Sequence, residues 1–208
     1  MNKLVLAVLG TALLTTACEQ AQKAKESYSA ISKLKDAGEK MEASMDAAKS
    51  RREEREKRGD TLSMPYKELQ AYLPTEVSGY TAANPTGQSM KMSGIAFSTV
   101  GREFTKDSVT VKTEIIDYNG ANQLYQGASA MLGLGLESED DEQLTKSASL
   151  GIDGASGMET YRKKDRQAEL MLAVGGRFLI KVTADKQPDT ELVESVAKQM
   201  QLEKLAEL

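Results

Sequence analysis

Two adjacent glycines, Gly175 and Gly176, most constrain what this 208-residue chain can fold into. They separate two apolar runs, Ala168 to Val174 (AELMLAV) and Arg177 to Thr183 (RFLIKVT). A two-residue turn between strands needs positive φ angles at both turn residues, which glycine adopts without steric cost. The pattern therefore predicts an antiparallel hairpin. It does not indicate a phosphate-binding loop, because no G-x-G-x-x-G or Walker pattern is present and a strand follows the glycines.

Four further segments alternate between apolar and polar residues with the period of a strand. The clearest is Ser108 to Tyr118 (SVTVKTEIIDY), in which Val109, Val111, Thr113 and Ile115 share one face. The other strands are predicted at Ile95–Thr105, Leu144–Ile152 and Ser156–Arg162, and the polar segment 84–93 is predicted to be a loop. Strands joined by such short connections favour antiparallel pairing.

Three helices are predicted around these strands. Pro65 and Pro74 bracket the first, because proline suits the first turn of a helix but cannot continue one. The second spans residues 121–134, and the third begins after a cap at Asp189 or Thr190. The residues expected to face the sheet are Leu124, Ala128, Met131 and Leu132 in the second helix, and Leu192, Val193, Val196, Ala197 and Met200 in the third. Runs of strands separated by single helices indicate an α+β domain at residues 61–208, an antiparallel sheet covered by helices.

The order of these elements, with GGRFLIKV at residues 175–182 before a closing helix, resembles the Mog1/PsbP-type α-β-α sandwich. It also resembles bacterial lipoproteins of unknown function that end in a strand carrying G-R-F and a helix. The resemblance covers about Leu73 to Leu205 and rests on element order. It implies a binding or assembly module, since members of that fold mostly are not enzymes. No binding residue can be carried over from it.

The first residues have the layout of a secretory signal: Lys3, an apolar run from Leu4 to Leu14, and then small residues. The run is too short to span a membrane, which takes roughly 20 apolar residues. It ends in LTTAC at residues 14–18, which resembles the lipobox of bacterial lipoproteins, although Thr15 stands where that family usually has an aliphatic residue. The resemblance implies a signal peptide at residues 1–17 and acyl chains such as palmitate on Cys18. The alternative is an ordinary signal peptide with a chance cysteine.

The residue after the cysteine bears on the location of the protein. In Gram-negative lipoproteins, aspartate at that place usually retains the protein at the inner membrane, and this chain has Glu19 instead. The resemblance therefore implies the outer membrane, with the domain facing the periplasm. In a Gram-positive host, the same motif implies the outer face of the cytoplasmic membrane.

Residues 18–60 are predicted to form a charged helical tether, because they are rich in Ala, Lys, Glu and Met and contain no proline. Gly59 is expected to end the helix. Small or apolar residues recur every three or four positions, as in a heptad repeat: Ile31, Leu34, Gly38, Met41, Met45 and Ala48. Three interpretations remain open, namely a solvated spacer, a coiled coil that joins copies or binds a partner, and a helix that lies on the membrane or on the domain itself.

The composition argues against several kinds of site. The chain has no histidine and no cysteine besides Cys18, so the usual general base, the commonest metal ligand and an internal disulfide are missing. A net charge of −4 argues against nucleic acid as a partner. The acidic run 137–142 (ESEDDE) lacks the D-x-[DN]-x-[DN]-G pattern of a calcium loop and is predicted to be solvated. We therefore expect a protein that is not an enzyme, with no catalytic residue, cofactor or metal site.

These observations favour a lipid-anchored cell-envelope protein with a non-catalytic binding or scaffolding domain, whose partners would be the membrane and other envelope proteins. Two alternatives stay open. One is a carrier or sensor of a small apolar or envelope ligand, and the other is an envelope assembly factor that forms oligomers through a coiled coil. A scaffold should have a filled core and an exposed apolar patch. A carrier should have an internal cavity of a few hundred Å³.

Overall fold

The computed structural model describes residue 32, residues 35–36 and 38–39, and residues 41–208. Its compact unit runs from Lys40 to Leu208. The helices are 41–57 (α1), Tyr66–Leu69 (α2), Asn122–Ser129 (α3), Glu191–Lys198 (α4) and Leu202–Ala206 (α5), with 3₁₀ turns at Gln70–Tyr72 and Leu132–Leu134. The strands are Thr81–Ala82 (β1), Thr86–Met92 (β2), Ile95–Lys106 (β3), Val109–Gly120 (β4), Ser138–Glu139 (β5), Gln143–Ala148 (β6), Ala155–Arg162 (β7), Gln167–Val174 (β8) and Phe178–Ala184 (β9).

The strands of this unit form one sheet in the order β1-β3-β4-β9-β8-β7-β6-β5, and β2 also pairs with β3. Every pair is antiparallel. Strands β6 to β9 follow one another as a meander, and β9 then pairs with β4 from the first half of the chain. The predicted α+β class with an antiparallel sheet and covering helices is confirmed.

The turn between β8 and β9 is the predicted two-residue hairpin, since Gly175 and Gly176 have φ angles of +64° and +67°. A side chain at Gly176 would also collide with α1, because a Cβ there would lie 2.9 Å from the Cα of Ala48. Glycine is thus required here both for the turn and for the close approach of the helix.

The predicted loop at residues 84–93 is wrong, because β2 occupies residues 86–92 of it. Ser93 and Gly94 have φ angles of +51° and +84°, so they form a second two-residue turn between β2 and β3. All seven residues of β2 are exposed. A strand without a buried face lacks the alternation of apolar and polar residues by which strands are predicted, which is why the sequence pattern missed it.

One face of the sheet, the core face, carries the main hydrophobic core. Val100, Phe104, Val111 and Ile115 pair across β3 and β4 on this face, and the inward residues of β8 and β9 continue it. Helices α2, α4 and α5 cover it with fully or nearly buried side chains: Leu69, Val193, Val196, Ala197, Leu202 and Leu205. The predicted buried stripe of the last helices is therefore confirmed, except that Leu192 is only partly buried.

The opposite face, the second face, carries a smaller cluster in which Tyr125 and Leu132 pack on Ala173 and Leu179. The prediction of which α3 residues face the sheet is therefore largely wrong. Of the four residues expected to face the sheet, only Leu132 is buried, while Leu124 and Met131 are 48% and 56% exposed and Ala128 is exposed. The cause is that α3 ends at Ser129, so that only the line through Ala121 and Tyr125 reaches the sheet.

Helix α1 belongs to the compact unit, whereas the sequence pattern assigns residues 41–60 to the tether. Gly59 ends it as predicted, with a φ angle of +76°. The N–H of Asp60 donates to the carbonyl of Arg55, and that of Gly59 to the carbonyl of Glu56, which is the Schellman arrangement. The helix packs against the domain through Ala48, and Arg51 Nη1 donates to the carbonyl of Ala206 at 3.2 Å. Within the part of the chain that the structure describes, no helix is long and apolar enough to cross a membrane.

Close packing between β7 and β8 gives a prediction at Gly157. A Cβ there would overlap the carbonyl oxygen of Met171 and lie 2.7 Å from Leu172 Cδ2. We expect Gly157→Ala to lower the free energy of unfolding by about 2 kcal/mol or more, because neither neighbour can move freely. The matched control is Gly127→Ala in α3, where nothing lies within 4 Å and alanine should stabilise the helix by about 0.5–1 kcal/mol. Urea unfolding measures both, and equal stabilities of the two variants would contradict the prediction.

Candidate functional site

A cluster of charged side chains lies where the chain crosses from the second face to the core face, beside the β8–β9 turn. We call Arg55, Asp60, Asp117, Asn119 and Arg177 the arginine cluster. Arg55, Asp117 and Arg177 are at most 4% exposed. Charged groups are tolerated at such depth only when they are paired and hydrogen-bonded, so the bonds of each member decide what the cluster can do.

Arg177 forms the centre of the cluster. It follows the two glycines directly, and its Nε and Nη2 donate to Oδ1 and Oδ2 of Asp117, both at 2.8 Å. Its Nη1 donates to Oδ2 of Asp60, also at 2.8 Å. Asp117 accepts two further bonds from the backbone N–H groups of Met64, at 2.6 Å, and Asn119, at 2.9 Å. The result is a two-point arginine–carboxylate pair, the strongest geometry for such a pair.

Arg55 connects α1 to this centre. Its Nη1 and Nη2 donate to the carbonyls of Gly175 and Gly176 at 3.1 and 3.2 Å, and its Nε donates to Oδ1 of Asn119 at 3.0 Å. The amide nitrogen of Asn119 donates in turn to the backbone carbonyl and a carboxylate oxygen of Asp60. The last turn of α1 is thereby bound to the tip of the β8–β9 hairpin and to the end of β4.

The electrostatics of the cluster are balanced, with two arginines against two aspartates. Burial lowers the pKa of Arg177, but its hydrogen bonds with Asp117 and the charges of Asp117 and Asp60 outweigh burial and raise it. Burial and the positive charge of Arg177 lower the pKa of Arg55. All three guanidinium nitrogens of each arginine are bonded within the cluster. Every guanidinium nitrogen thus has a partner inside the protein, and the role of the cluster is to fasten α1 to the sheet.

The residues that the sequence pattern singled out are placed as follows. Cys18 and the signal peptide at residues 1–17 lie outside the described residues. Gly175 and Gly176 form a structural turn whose carbonyls accept the bonds of Arg55.

The acidic run 137–142 includes β5, and its members bind within the protein. Asp140 Oδ1 accepts the backbone N–H groups of Glu142 and Gln143, which lower the pKa of that carboxyl. The carboxylate of Glu139 pairs with Lys163 at 2.8 Å. Among the described residues, no three or more acidic, histidine or cysteine side chains are grouped as metal ligands.

The arginine cluster was not predicted from the sequence, although one signal for it was present. In the alternation Val111, Thr113, Ile115, the next residue on the same face is Asp117. A carboxylate at a core position needs a buried cation, and Arg177 stands opposite the end of the same strand, next to Phe178, which pairs with Asp117. Arg55 carried no comparable signal, because it is one of several arginines in a charged helix.

A second feature is a set of exposed apolar side chains on the second face, carried by α1, the β2–β3 hairpin and residues 122–134. We call it the methionine-rich surface; its members are Met45, Met90, Met92, Ile95, Leu124 and Met131, each at least 43% exposed. Single exposed apolar side chains are ordinary, but several on one face of a domain indicate a contact surface. Methionine is common on such surfaces, because its flexible side chain adapts to different partners.

Aromatic rings connect the members of this surface. Met92 pairs with Ile95 and Met90 with Phe97 across the β2–β3 hairpin. The ring of Phe97 lies 6.3 Å from that of Tyr118, which lies 6.4 Å from that of Tyr125 on α3. The hairpin tip and α3 are thus parts of one continuous apolar layer on the second face.

Three cavities border α1 or strands β2 to β4, and one of them, of about 310 Å³, lies between α1 and the sheet. A crevice of about 120 Å³ lies between α1 and α3, with Met41, Met45, Ala48 and Tyr125 among its lining residues. It is smaller than the roughly 300–1,000 Å³ of sites for small molecules. An open groove of about 700 Å³ crosses β2, β3 and β4, and its lining residues include Glu103, Lys112 and Glu114. An apolar ligand there would desolvate charged groups at considerable cost.

Comparison with models of protein families, with curated proteins and with solved structures finds no match for this chain. Its fold and surfaces therefore have to be interpreted from their own chemistry.

Tyr125 gives a pH-dependent prediction. Burial raises its pKa to about 12, against the opposing positive charge of Arg55. The unfolded chain releases this proton near the ordinary pKa of 10.0. The contribution to stability is therefore complete below pH 10 and is lost as the pH rises toward 12. We expect the free energy of unfolding of Tyr125→Phe to fall less steeply across this range than that of the wild type. Urea unfolding at several alkaline pH values measures the slopes, and equal slopes would contradict the assignment.

Proposed function

We propose that this protein is a cell-envelope lipoprotein, anchored through acylated Cys18 and facing the periplasm from the outer membrane, whose domain is a non-catalytic binding or scaffolding module. The anchor is supported by the LTTAC motif, which places the only cysteine of the chain at the acylation position. The observation that carries the binding role is the methionine-rich surface, six exposed apolar side chains on the second face of a domain whose main core is filled.

The finer fold that we propose is the α-β-α sandwich of the Mog1/PsbP type. It is supported by the positions of the helices, since α2, α4 and α5 pack in the core cluster on one face and α3 packs on the other. In this proposal, the tether is the segment that joins Cys18 to residues 41–57 of α1. Helix α1 is then the point at which the tether is held by the domain.

The two alternatives receive less support. A carrier needs an internal cavity, whereas the residues of the main core are almost completely buried against one another and the groove of about 700 Å³ is open to solvent. A coiled coil needs a free apolar stripe, whereas Ala48 packs against the β8–β9 turn and Met41 lines the crevice beside α3. Part of the apolar stripe therefore already contacts the domain and is not free for a coiled coil.

Cross-linking and capture from intact envelopes tests the binding role. Leu124→Lys removes an apolar member of the methionine-rich surface, and Gln123→Lys adds the same charge to the neighbouring exposed position of α3. We expect the wild type and Gln123→Lys to capture the same envelope protein and Leu124→Lys to lose it. Identical capture by all three proteins would contradict binding through this surface.

A further inference from the structure

Strand β2 is an open edge of the sheet. Among the described residues it pairs only with β3, and its seven residues are all exposed. The register between the two strands runs without a break from Thr86–Gly101 to Met92–Ile95. The outermost strands on the main path, β1 and β5, are only two residues long. Natural edge strands are usually shortened, bulged or strongly charged to prevent pairing, and β2 has a single charge, Lys91.

The turn geometry shows which backbone groups of β2 are free. In a two-residue hairpin, the residues that flank the turn form a hydrogen-bonded pair, here Met92 and Ile95. Even-numbered residues of β2 therefore bond to β3, and the N–H and C=O groups of Gly87, Ser89 and Lys91 point away from it. Within the described residues, none of these three makes a backbone hydrogen bond outside the strand ladder. An extended strand of another chain can pair with such a row.

We propose that β2 pairs in antiparallel fashion with β2 of a second copy of this chain, about a twofold axis through Ser89. Ser89 then lies opposite its own copy, and Gly87 lies opposite Lys91 in both directions. The three outward residues of each chain are all paired, which gives six backbone hydrogen bonds across the axis.

Charge and proline disfavour two of the alternative registers. An axis through Lys91 would place two ammonium groups directly opposite each other, which is unfavourable. An axis through Gly87 would place Ser89 opposite Pro85, which has no N–H to donate. With the axis through Ser89, Lys91 lies opposite a glycine and Met90 lies diagonally across from Met90 of the other copy. Exposed apolar area of the methionine-rich surface is thereby buried.

The twofold symmetry also allows both copies to be anchored in the same membrane. A twofold axis between antiparallel edge strands is perpendicular to the sheet, so the second faces of both copies point to the same side. Helix α1 lies on that face, since it lines crevices with Tyr125 and Ala173. In both copies, the segment before α1 therefore joins the domain on the same side of the paired sheets. This last point rests on the proposed anchoring, whereas the pairing itself does not.

Cysteine cross-linking of the mature chain carrying Cys18→Ser tests the register. The chain then has no other cysteine, so Ser89→Cys introduces a single thiol at the twofold axis, where paired Cα atoms are about 5.5 Å apart and a disulfide can form. The matched control is Thr86→Cys on the same strand, which the axis places opposite Met92 and far from its own copy. We expect mild oxidation to link Ser89→Cys into dimers and to leave Thr86→Cys monomeric.

Sedimentation provides a measurement that does not depend on the cysteine. We expect the Cys18→Ser chain to double in mass as its concentration rises toward about 1 mM, the order of effective concentration that short tethers impose. Lys91→Pro removes an outward N–H but no bond to β3, so it should abolish the dimer, while Lys91→Ala should keep it. A monomer at all concentrations, or a dimer unaffected by Lys91→Pro, would overturn the pairing. Neither result would affect partner capture through Leu124, which tests the proposed function separately.

Discussion

Replacing Arg177 with alanine is expected to lower the free energy of unfolding by about 3–5 kcal/mol, the typical cost of removing one partner of a buried ion pair. The reason is that the Asp117 side chain, which is 0% exposed, loses both guanidinium bonds and the buried positive charge that faces it. Asp117 keeps its bonds from two backbone N–H groups, so we expect a loss of stability toward the lower end of this range. Urea unfolding at neutral pH measures the change.

The control is Arg162→Ala, because Arg162 is 39% exposed and lies 3.9 Å from the carboxylate of Glu169. An exposed pair of this kind contributes at most about 1 kcal/mol. The double variant Arg177→Met with Asp117→Leu should regain part of the stability, since an apolar pair leaves no buried charge. If Arg177→Ala were no more destabilising than Arg162→Ala, the arginine cluster would not hold the fold together.

Replacing Arg55 with alanine is expected to release the end of α1 from the domain and to cost about 2–3 kcal/mol, because three bonds from a charged group are lost. The carbonyls of Gly175 and Gly176 lie at a turn, where water can replace the guanidinium. This is why we expect a smaller loss than for Arg177. Limited digestion with trypsin detects release directly, as cleavage after Lys49 of α1, a site that neither Arg55→Ala nor the control variant changes.

The matched control is Arg52→Ala in the same helix, where Arg52 is 42% exposed and its ion pair is with Glu56 at 2.7 Å. We expect Arg52→Ala to be digested in α1 at the rate of the wild type and Arg55→Ala to be digested faster. Equal rates for all three proteins would show that α1 is held by contacts other than the arginine cluster.

The parts of the fold that could be predicted are those for which local and tertiary requirements agree. Gly175 and Gly176 mark a turn that only glycine adopts easily, and the strands around it are buried on the core face, so their alternation is strong. The last helix was also predicted, because its apolar stripe of Val193, Val196 and Ala197 covers that same core.

The parts that could not be predicted depend on contacts between distant segments. Strand β2 has no buried face, so only the Ser93-Gly94 turn marks it. In α3, Leu124 was predicted to face the sheet because it is aliphatic, whereas Tyr125 is the residue that contacts the sheet. The docking of α1 depends on hydrogen bonds from Arg55 to two carbonyls that are 120 and 121 residues away in sequence, and no local sequence pattern predicts such bonds. The methionine-rich surface could not be predicted either, since its members become neighbours only in the folded domain.

The most direct test of the proposed anchoring is the mass of the N-terminal peptide of the mature protein, released by protease from isolated envelopes. We predict a peptide that begins at Cys18 and carries a diacylglyceryl group on sulfur and an acyl chain on its amino group. The Cys18→Ser protein should lack these groups and should no longer sediment with membranes. An unmodified Cys18, or a mature protein that begins at another residue and still sediments with membranes, would contradict the proposal.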